Sequence, residues 1–309
     1  MIRDPASPKR RRFLRQAAGL AAAGWLSPAF ASPRAIQTRK IPVSGEAVPV
    51  IGMGTWRTFD VGDDPEMVTA RALVLKTFFD MGGGMVDSSP MYGTSEQVIG
   101  ECRAMLADDA ALFSATKVWT PGRWFGIRQM ERSQRLWGLP RFDLMQIHNM
   151  LDWETHLETL KDWKADGRIR YIGITTSHGR RHEALATALE RENFDFVQFS
   201  YNVLDREAEK RLLPLAAERG VAVIVNRPFR TGGLFDHVEG KQLPAWASEF
   251  DCSNWAQFFL KFIVSHPAVT VAIPATRRVD HMQENMGAGF GRLPDPELRQ
   301  RMAQYVESL

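Results

Sequence analysis

Cysteine is scarce in this chain: the 309 residues include only two, Cys102 and Cys252. They lie far apart in the sequence and form neither a CxxC pair nor a spacing typical of metal ligands, so a cysteine-based metal centre is excluded. Two interpretations of the pair stay open. Buried free thiols are favoured, and a single disulfide formed in an oxidising compartment is the alternative.

Long apolar runs and a cationic surface are also missing. A membrane-spanning helix needs about 20 consecutive apolar residues, and the chain contains no such stretch. The formal charge of +3 is unevenly distributed, because residues 1–31 hold six basic residues and one acidic residue and leave a net charge of −2 for the remainder. We therefore expect neither nucleic-acid binding nor stable insertion into a membrane after the leader is cleaved.

The first 31 residues have the organisation of an export signal. A basic segment at 9–15 precedes a mild apolar run at 17–26, and Ala29-Phe30-Ala31 forms a small-x-small cleavage site. The adjacent arginines followed by Phe-Leu resemble the twin-arginine (Tat) motif. We expect export by the Tat machinery, cleavage after Ala31, a mature domain at 32–309 and a periplasmic or secreted location. An uncleaved membrane anchor and a basic cytosolic tail are the alternatives.

A glycine-rich dinucleotide-binding turn is absent as well. Gly52-Met53-Gly54 is followed by Thr55-Trp56 with no third glycine in place, which disfavours an open, doubly wound sheet. Eight short runs rich in Val, Ile and Phe alternate instead with segments of helical period. They lie at 50–56, 85–88, 112–118, 144–148, 169–175, 194–201, 221–228 and 269–274. Eight apolar strands alternating with helices predict a single-domain α/β protein, a (β/α)8 TIM barrel. Residues 40–46 predict a β-hairpin that caps the barrel floor.

Four polar residues follow successive predicted strands. The second, third and fourth strands end at Asp87, Lys117 and His148, and Tyr92 lies in the loop after the second. Because the carboxyl ends of barrel strands meet at one rim, which is where such barrels place their active sites, we expect these four side chains to lie together.

These residue types suit the reduction of a carbonyl. The product alkoxide needs a proton, and a tyrosine whose ordinary pKa is about 10 can supply it if its conjugate base is stabilised. A nearby lysine cation lowers that pKa, and a carboxylate keeps the lysine charged. A neutral histidine can donate a hydrogen bond to the carbonyl oxygen. The pattern predicts carbonyl reduction with Tyr92 as the general acid.

Several motifs resemble those of the aldo-keto reductase family. Three of them carry the four residues: Asp-Ser-Ser-Pro-Met-Tyr-Gly at 87–93, Thr-Lys-Val-Trp at 116–119 and Gln-Ile-His at 146–148. The segments 52–56, 167–173 and 284–285 are similar to further family motifs. The resemblance covers most of residues 37–290. It implies a (β/α)8 barrel, a nicotinamide cofactor, usually NADPH, a small carbonyl substrate and no metal.

The resemblance also assigns individual residues. It implies a catalytic tetrad of Asp87, Tyr92, Lys117 and His148, and a substrate pocket that includes Trp56 and Trp119. The cofactor contacts implied by the family pattern and by the strand ends are Thr55, Thr175, Gln198, Asn226, Arg227, Arg230, Thr276, Arg277, Glu284 and Asn285.

This chain departs from the family pattern at three cofactor positions. Thr176 stands where an asparagine amide is usual, Asn226 replaces a stacking tyrosine ring, and Ala275 replaces a lysine that meets the 2′-phosphate. Arg277 or Arg278 can meet that phosphate instead. We therefore expect NADP to be favoured, with NAD possible.

Two other functions fit parts of the sequence. One is a cofactor-binding redox sensor or regulatory module with little or no turnover. The other is a barrel aldolase or isomerase with Lys117 as a Schiff base, which needs a neutral lysine and is disfavoured by Asp87. For the reductase, Trp56, Trp119 and further apolar residues such as Met91 predict an aromatic-lined pocket for small or aromatic aldehydes.

Overall fold

The computed structural model describes residues 35–106 and 111–309. The expected signal peptide and its cleavage after Ala31 lie outside the described residues, and they stay predictions.

Eight parallel strands form a barrel, as the sequence predicts, and neighbours in the barrel follow one another along the chain. The strands are β3 (Met53–Gly54), β4 (Met85–Asp87), β5 (Phe113–Val118), β6 (Phe142–Ile147), β7 (Ile169–Thr175), β8 (Phe196–Ser200), β9 (Ala222–Asn226) and β10 (Val271–Ala272). Isolated bridges from Ile51 to Ala272 and from Gly54 to Ala275 join the first strand to the last and close the barrel.

Side chains on the strands alternate between two environments, because successive residues of a strand point to opposite faces. One set packs against the surrounding helices in the large apolar core. The other set forms a second buried cluster inside the barrel, which includes Phe113, Leu144, Tyr171 and Phe196. The carboxyl ends of the same strands carry polar residues in place of these apolar ones, so the site lies above a filled interior.

A β-hairpin closes the amino end of the barrel, as predicted. Its strands are β1 (Thr38–Lys40) and β2 (Ala47–Pro49), and they pair antiparallel. Ile41 and Val48 belong to the cluster inside the barrel. The hydroxyl of Tyr171 donates to Glu46 Oε2 at 2.7 Å and lies 2.8 Å from Ser44 Oγ. The hairpin is therefore both an apolar plug and a polar partner of the barrel floor.

Helices surround the strands and follow them in the order expected of the barrel. They are α1 (Pro65–Asp80), α2 (Ser95–Met105), α3 (Arg123–Trp137), α4 (Trp153–Ala165), α5 (His182–Arg191), α6 (Leu212–Arg219), α7 (Gly233–His237), α8 (Trp255–Val264), α9 (Val279–Gly287) and α10 (Pro296–Glu307). Asp64, Asn254 and Asp295 cap three of them with side-chain oxygens that accept backbone N–H groups.

Both cysteines are free and buried, so the free-thiol interpretation is confirmed. Burial raises the pKa of Cys102 to about 12 and that of Cys252 to about 11. Across the described ranges, no helix combines the length and apolar character needed to cross a membrane.

Candidate active site

The loops after the barrel strands contain most of the unusual backbone. Among residues 35–106 and 111–309, every non-glycine residue with positive φ except Asp251 lies in these loops: Arg57, Asn149, Met150, Asp152, His178, Arg181, Arg227, Arg230 and Thr231. Such conformations cost free energy and cluster at functional sites. The strain therefore marks the same rim that the strand-end residues mark.

Asp87 and Lys117 form a buried ion pair at this rim. Lys117 Nζ donates to Asp87 Oδ2 at 2.5 Å and to the carbonyl of Ser88 at 2.8 Å. The two side chains are 2% and 0% exposed. Burial opposes the ammonium charge, but Asp87 and Tyr92 outweigh it, and the net pKa of Lys117 is raised. Lys117 is therefore a fixed cation.

Tyr92 lies next to that cation. Lys117 Nζ is 5.3 Å from the centre of the Tyr92 ring, and the ring meets His148 edge to face with centroids 5.7 Å apart. Burial raises the pKa of Tyr92, while Lys117 acts in the opposite direction, and the net pKa is raised. Lys117 lowers the pKa of Tyr92, as expected, but the increase caused by burial is larger. Tyr92 accordingly keeps its proton at neutral pH.

The loop that presents Tyr92 depends on Gly93. This residue has a φ of +59°, and a Cβ atom there would lie 2.3 Å from Asp60 Oδ1. Asp60 Oδ1 accepts the backbone N–H of Thr94 at 2.9 Å. Only glycine fits between Tyr92 and this contact, so the Tyr-Gly pair is a local requirement of the turn.

His148 is buried and neutral. Burial, with Lys117 nearby, lowers the pKa of His148 to about 2. Its Nδ1 lies 2.8 Å from Ser89 Oγ, and the backbone N–H of Met91 donates to the same oxygen at 3.2 Å. The hydroxyl of Ser89 can donate its proton to Nδ1, an arrangement in which Nε2 is the protonated nitrogen. The arrangement brings the predicted tetrad together, with a neutral N–H donor beside the tyrosine.

A chain of side-chain amides crosses the rim from β9 to β4. Asn226 Nδ2 donates to the Thr176 carbonyl at 2.9 Å and to Gln198 Oε1 at 3.3 Å. Gln198 Nε2 donates to Gln146 Oε1 at 3.2 Å and to Asp87 Oδ1 at 3.0 Å. Gln146 Nε2 donates to the same Asp87 oxygen at 2.8 Å. The predicted cofactor residue Gln198 is thus hydrogen-bonded to Asp87 of the tetrad, and Asn226 is connected to Asp87 through Gln198.

Two of the three predicted threonines, Thr55 and Thr175, are buried at the carboxyl ends of β3 and β7. Thr55 Oγ1 bonds the Asp87 carbonyl at 3.0 Å and Ser88 Oγ at 2.9 Å. Thr175 Oγ1 accepts the backbone N–H of Asn149 at 3.0 Å. The next residue, Thr176, is 2% exposed, and its hydroxyl has no hydrogen-bond partner in the described part of the chain. This hydroxyl without a partner belongs to the residue that replaces the asparagine usual at this position.

Two predicted arginines follow β9. Arg230 Nε lies 3.1 Å from Asp205 Oδ2. Arg227 is half-buried. Burial lowers its pKa, Asp205 raises it and Arg230 lowers it, and the net pKa is lowered. A cation that is partly desolvated in this way favours an anionic group beside it.

The predicted cofactor residues Thr276 and Arg277 lie in the loop after β10, and Glu284 and Asn285 lie in α9. Thr276 and Asn285 are buried, whereas Arg277 and Glu284 are exposed. Thr276 Oγ1 accepts the backbone N–H of Arg278 at 3.2 Å, and the Arg278 side chain is paired with Asp280. Of the two arginines considered for a 2′-phosphate, Arg277 is therefore the one not held by Asp280.

Sequence reasoning missed a buried arginine near Arg277. Arg71 in α1 is 4% exposed and donates to the Thr58 carbonyl. Burial and then Arg277 lower the pKa of Arg71. No motif signalled it, because a basic residue within a helical segment is ordinarily read as solvent-exposed.

The predicted substrate residues lie at the same rim. The Trp119 ring is 6.4 Å from the His148 ring and is 40% exposed. Trp56 is half-buried, and the Arg57 guanidinium stacks 4.8 Å from its ring centre. Met91 is exposed. An aromatic surface thus borders the histidine, as expected.

Together, the fold and the site define a class of protein: a TIM-barrel oxidoreductase with an Asp, Tyr, Lys and His cluster at the carboxyl ends of its strands. The sequence model of the aldo/keto reductase family matches residues 50–303. The chain therefore belongs to the aldo/keto reductase family.

Known proteins support this assignment. An uncharacterized oxidoreductase of Schizosaccharomyces pombe is 26% identical over 82% of this chain and 86% of its own. The NADH-specific methylglyoxal reductase of Escherichia coli is 26% identical over 68% of this chain and 73% of its own. The aldo/keto reductase of Klebsiella pneumoniae solved with NADP and acetate has a TM-score of 0.72 and 23% identity, covering 85% of this chain and 93% of its own. The names of these similar proteins thus include both nicotinamide cofactors.

Proposed function

We propose that this protein is an NAD(P)H-dependent carbonyl reductase in which Tyr92 is the general acid. One observation carries the proposal: the centre of the Tyr92 ring is 5.3 Å from the fixed ammonium of Lys117 and 5.7 Å from the centre of the neutral His148 ring. A protonated phenol, a cation and a neutral N–H donor are the groups that carbonyl reduction requires at one point.

The residues at the rim fit a nicotinamide cofactor. The orphaned hydroxyl of Thr176 is a donor and acceptor suited to a carboxamide. Arg227 supports the negative charge of a dinucleotide at the neighbouring strand end. Bound there, the cofactor would supply the hydride.

The tetrad handles the proton. His148 donates from Nε2 to the carbonyl oxygen and orients it, and Tyr92 gives its phenolic proton to the same oxygen as negative charge develops. Lys117 then stabilises the phenolate that remains, since Asp87 keeps it charged. The raised pKa of Lys117 also argues against the Schiff-base alternative, which requires a neutral amine.

The cofactor preference that we propose is NADP over NAD. Support comes from Arg277, which is exposed and not held by Asp280, and from the buried cation Arg71, whose pKa is lowered by the charge of Arg277. Two cations favour a doubly charged 2′-phosphate over a ribose hydroxyl. For the substrate we propose small or aromatic aldehydes, since Trp119 borders His148 with much of its ring exposed.

We also propose that the chain is exported by the Tat pathway and acts in the periplasm or outside the cell. The support is the sequence motif at 9–15 together with Ala29-Phe30-Ala31. Cell fractionation and amino-terminal sequencing of the exported protein test it. A mature protein beginning at Ser32 agrees with the proposal, and a cytosolic protein that retains residues 1–31 contradicts it.

The decisive experiment follows the loss of NADPH absorbance with a panel of aldehydes and ketones. Tyr92→Phe should abolish turnover and keep NADPH binding, whereas Tyr305→Phe, a tyrosine of α10 far along the chain from the tetrad, should behave as wild type. Wild-type protein that binds NADPH and turns over no carbonyl would refute the reductase and favour the redox-sensor alternative.

A further inference from the structure

The second oxygen of Asp87 is held by two amides. Oδ2 pairs with Lys117, while Oδ1 accepts from Gln146 Nε2 at 2.8 Å and from Gln198 Nε2 at 3.0 Å. Asp87 is 2% exposed and Gln146 is 0% exposed. Two oxygens with fixed partners on opposite sides allow the carboxylate only one orientation.

The chemistry at both ends determines which way these amides face. The Thr176 carbonyl, which accepts a hydrogen bond from Asn226 Nδ2, has no proton to donate. The Asp87 carboxylate at the other end of the chain is likewise only an acceptor. Ser200 Oγ donates to Asn226 Oδ1 at 2.6 Å. The side-chain donors of the chain from Ser200 to Gln146 therefore point in the direction of Asp87, and hydrogen bonds aligned in this way strengthen one another.

The backbone makes room for Gln146. Gly173 on β7 is the register partner of Gln146 on β6. A Cβ atom at Gly173 would lie 2.7 Å from Gln146 Cγ. The absence of a side chain at Gly173 lets the Gln146 side chain extend across the neighbouring strand.

We propose that Gln146 is a positioning residue that holds Asp87, and through it Lys117, for the proton transfer by Tyr92. Asn226, which replaces the ring usual at its position, anchors the far end of the same chain. This inference rests on the proposed function for its kinetic test, but the positioning itself is a property of the protein without cofactor.

Gln146→Met tests the proposal, because methionine has a similar size and no donor. Leu144→Met is the matched control: it is a buried residue on the same strand and the same face, two positions earlier. We expect kcat of Gln146→Met to fall roughly 10-fold, the size expected for one lost hydrogen bond to a charged group. KM for the carbonyl and the affinity for NADPH should stay unchanged.

A second readout is the titration of Tyr92 without cofactor. The chain has four tyrosines, so the difference in tyrosinate absorbance between each protein and its Tyr92→Phe counterpart isolates Tyr92. Once Lys117 is less firmly aimed, the pKa of Tyr92 should move upward in Gln146→Met and not in Leu144→Met. Gly173→Ala, which displaces the amide and keeps its chemistry, should move it in the same direction.

The outcomes separate the two proposals. A Gln146→Met protein with the kcat and Tyr92 titration of Leu144→Met overturns the positioning role while wild-type turnover stands. Wild-type protein without turnover removes the proposed function, and the upward Tyr92 shift in Gln146→Met would still support the positioning role.

Discussion

Ser89 Oγ and His148 Nδ1 are 2.8 Å apart, and we propose that this contact holds the imidazole in the tautomer protonated at Nε2. Ser89→Ala removes that partner, so protonation at Nδ1 and Nε2 should become mixed. We expect kcat to fall about 10-fold, as for one lost hydrogen bond in a catalytic network. Nitrogen-15 spectra of the histidines measure the tautomer directly. Ser88→Ala, whose lost hydroxyl bonds Thr55 instead, should keep the wild-type tautomer, and a Ser89→Ala protein with an unchanged tautomer would refute this role.

The neutral state of His148 makes stability depend on pH. Its pKa is about 2 in the folded protein and about 6.5 in an unfolded chain. Below about pH 6.5 the unfolded state binds a proton that the folded state does not, so the free energy of unfolding falls as pH decreases, by about 1.4 kcal/mol per unit. Urea unfolding between about pH 4 and 7 should show a shallower slope for His148→Gln. Equal slopes in the two proteins would contradict a neutral, buried His148.

Arg277 and Arg278 should differ in their effect on cofactor choice. Arg277→Ala removes a cation not held by Asp280 and should weaken NADPH binding roughly 10-fold, with NADH binding unaffected. Arg278 is already paired with Asp280, so Arg278→Ala should leave the affinities for NADPH and NADH unchanged. Fluorescence titration with both cofactors measures this. Equal loss in the two variants would argue against Arg277 as the phosphate contact.

Lys261 is a structural lysine. Its Nζ donates to the carbonyls of Phe250 at 2.9 Å, Phe290 at 2.7 Å and Arg292 at 2.9 Å, and the side chain is fully buried. Lys261→Met leaves these carbonyls without that donor and should lower the free energy of unfolding by about 3 kcal/mol. Lys76→Met, at an exposed ion pair with Asp80, should cost less than about 1 kcal/mol. Denaturant unfolding compares the two variants.

The barrel was predictable because its signal is local. Each strand is a short apolar run, and each tetrad residue follows such a run, so the common rim of a parallel barrel brings Asp87, Lys117 and His148 together. The observed strands β3, β8, β9 and β10 are shorter than the apolar runs at the same positions.

The contacts around the tetrad were not predictable in the same way. Gln146 was visible in the motif that carries His148, two residues earlier and hence on the same face of the strand. Its contact with Asp87 depends on the register with Gly173 and on distances across the barrel, which one sequence does not contain. The buried Glu96, which accepts from Thr116 at 2.5 Å and from Ser133 at 2.8 Å, was missed for the same reason.

The bridge between Ile51 and Ala272 has a consequence for the timing of folding. Barrel closure pairs a strand near the beginning of the domain with one near its end. Almost the whole chain must therefore leave the ribosome before β3 can pair with β10. Until then β3 and β10 each have an unpaired edge, and such edges can associate with other chains. A nascent or truncated barrel is therefore the form of this protein most in need of a chaperone.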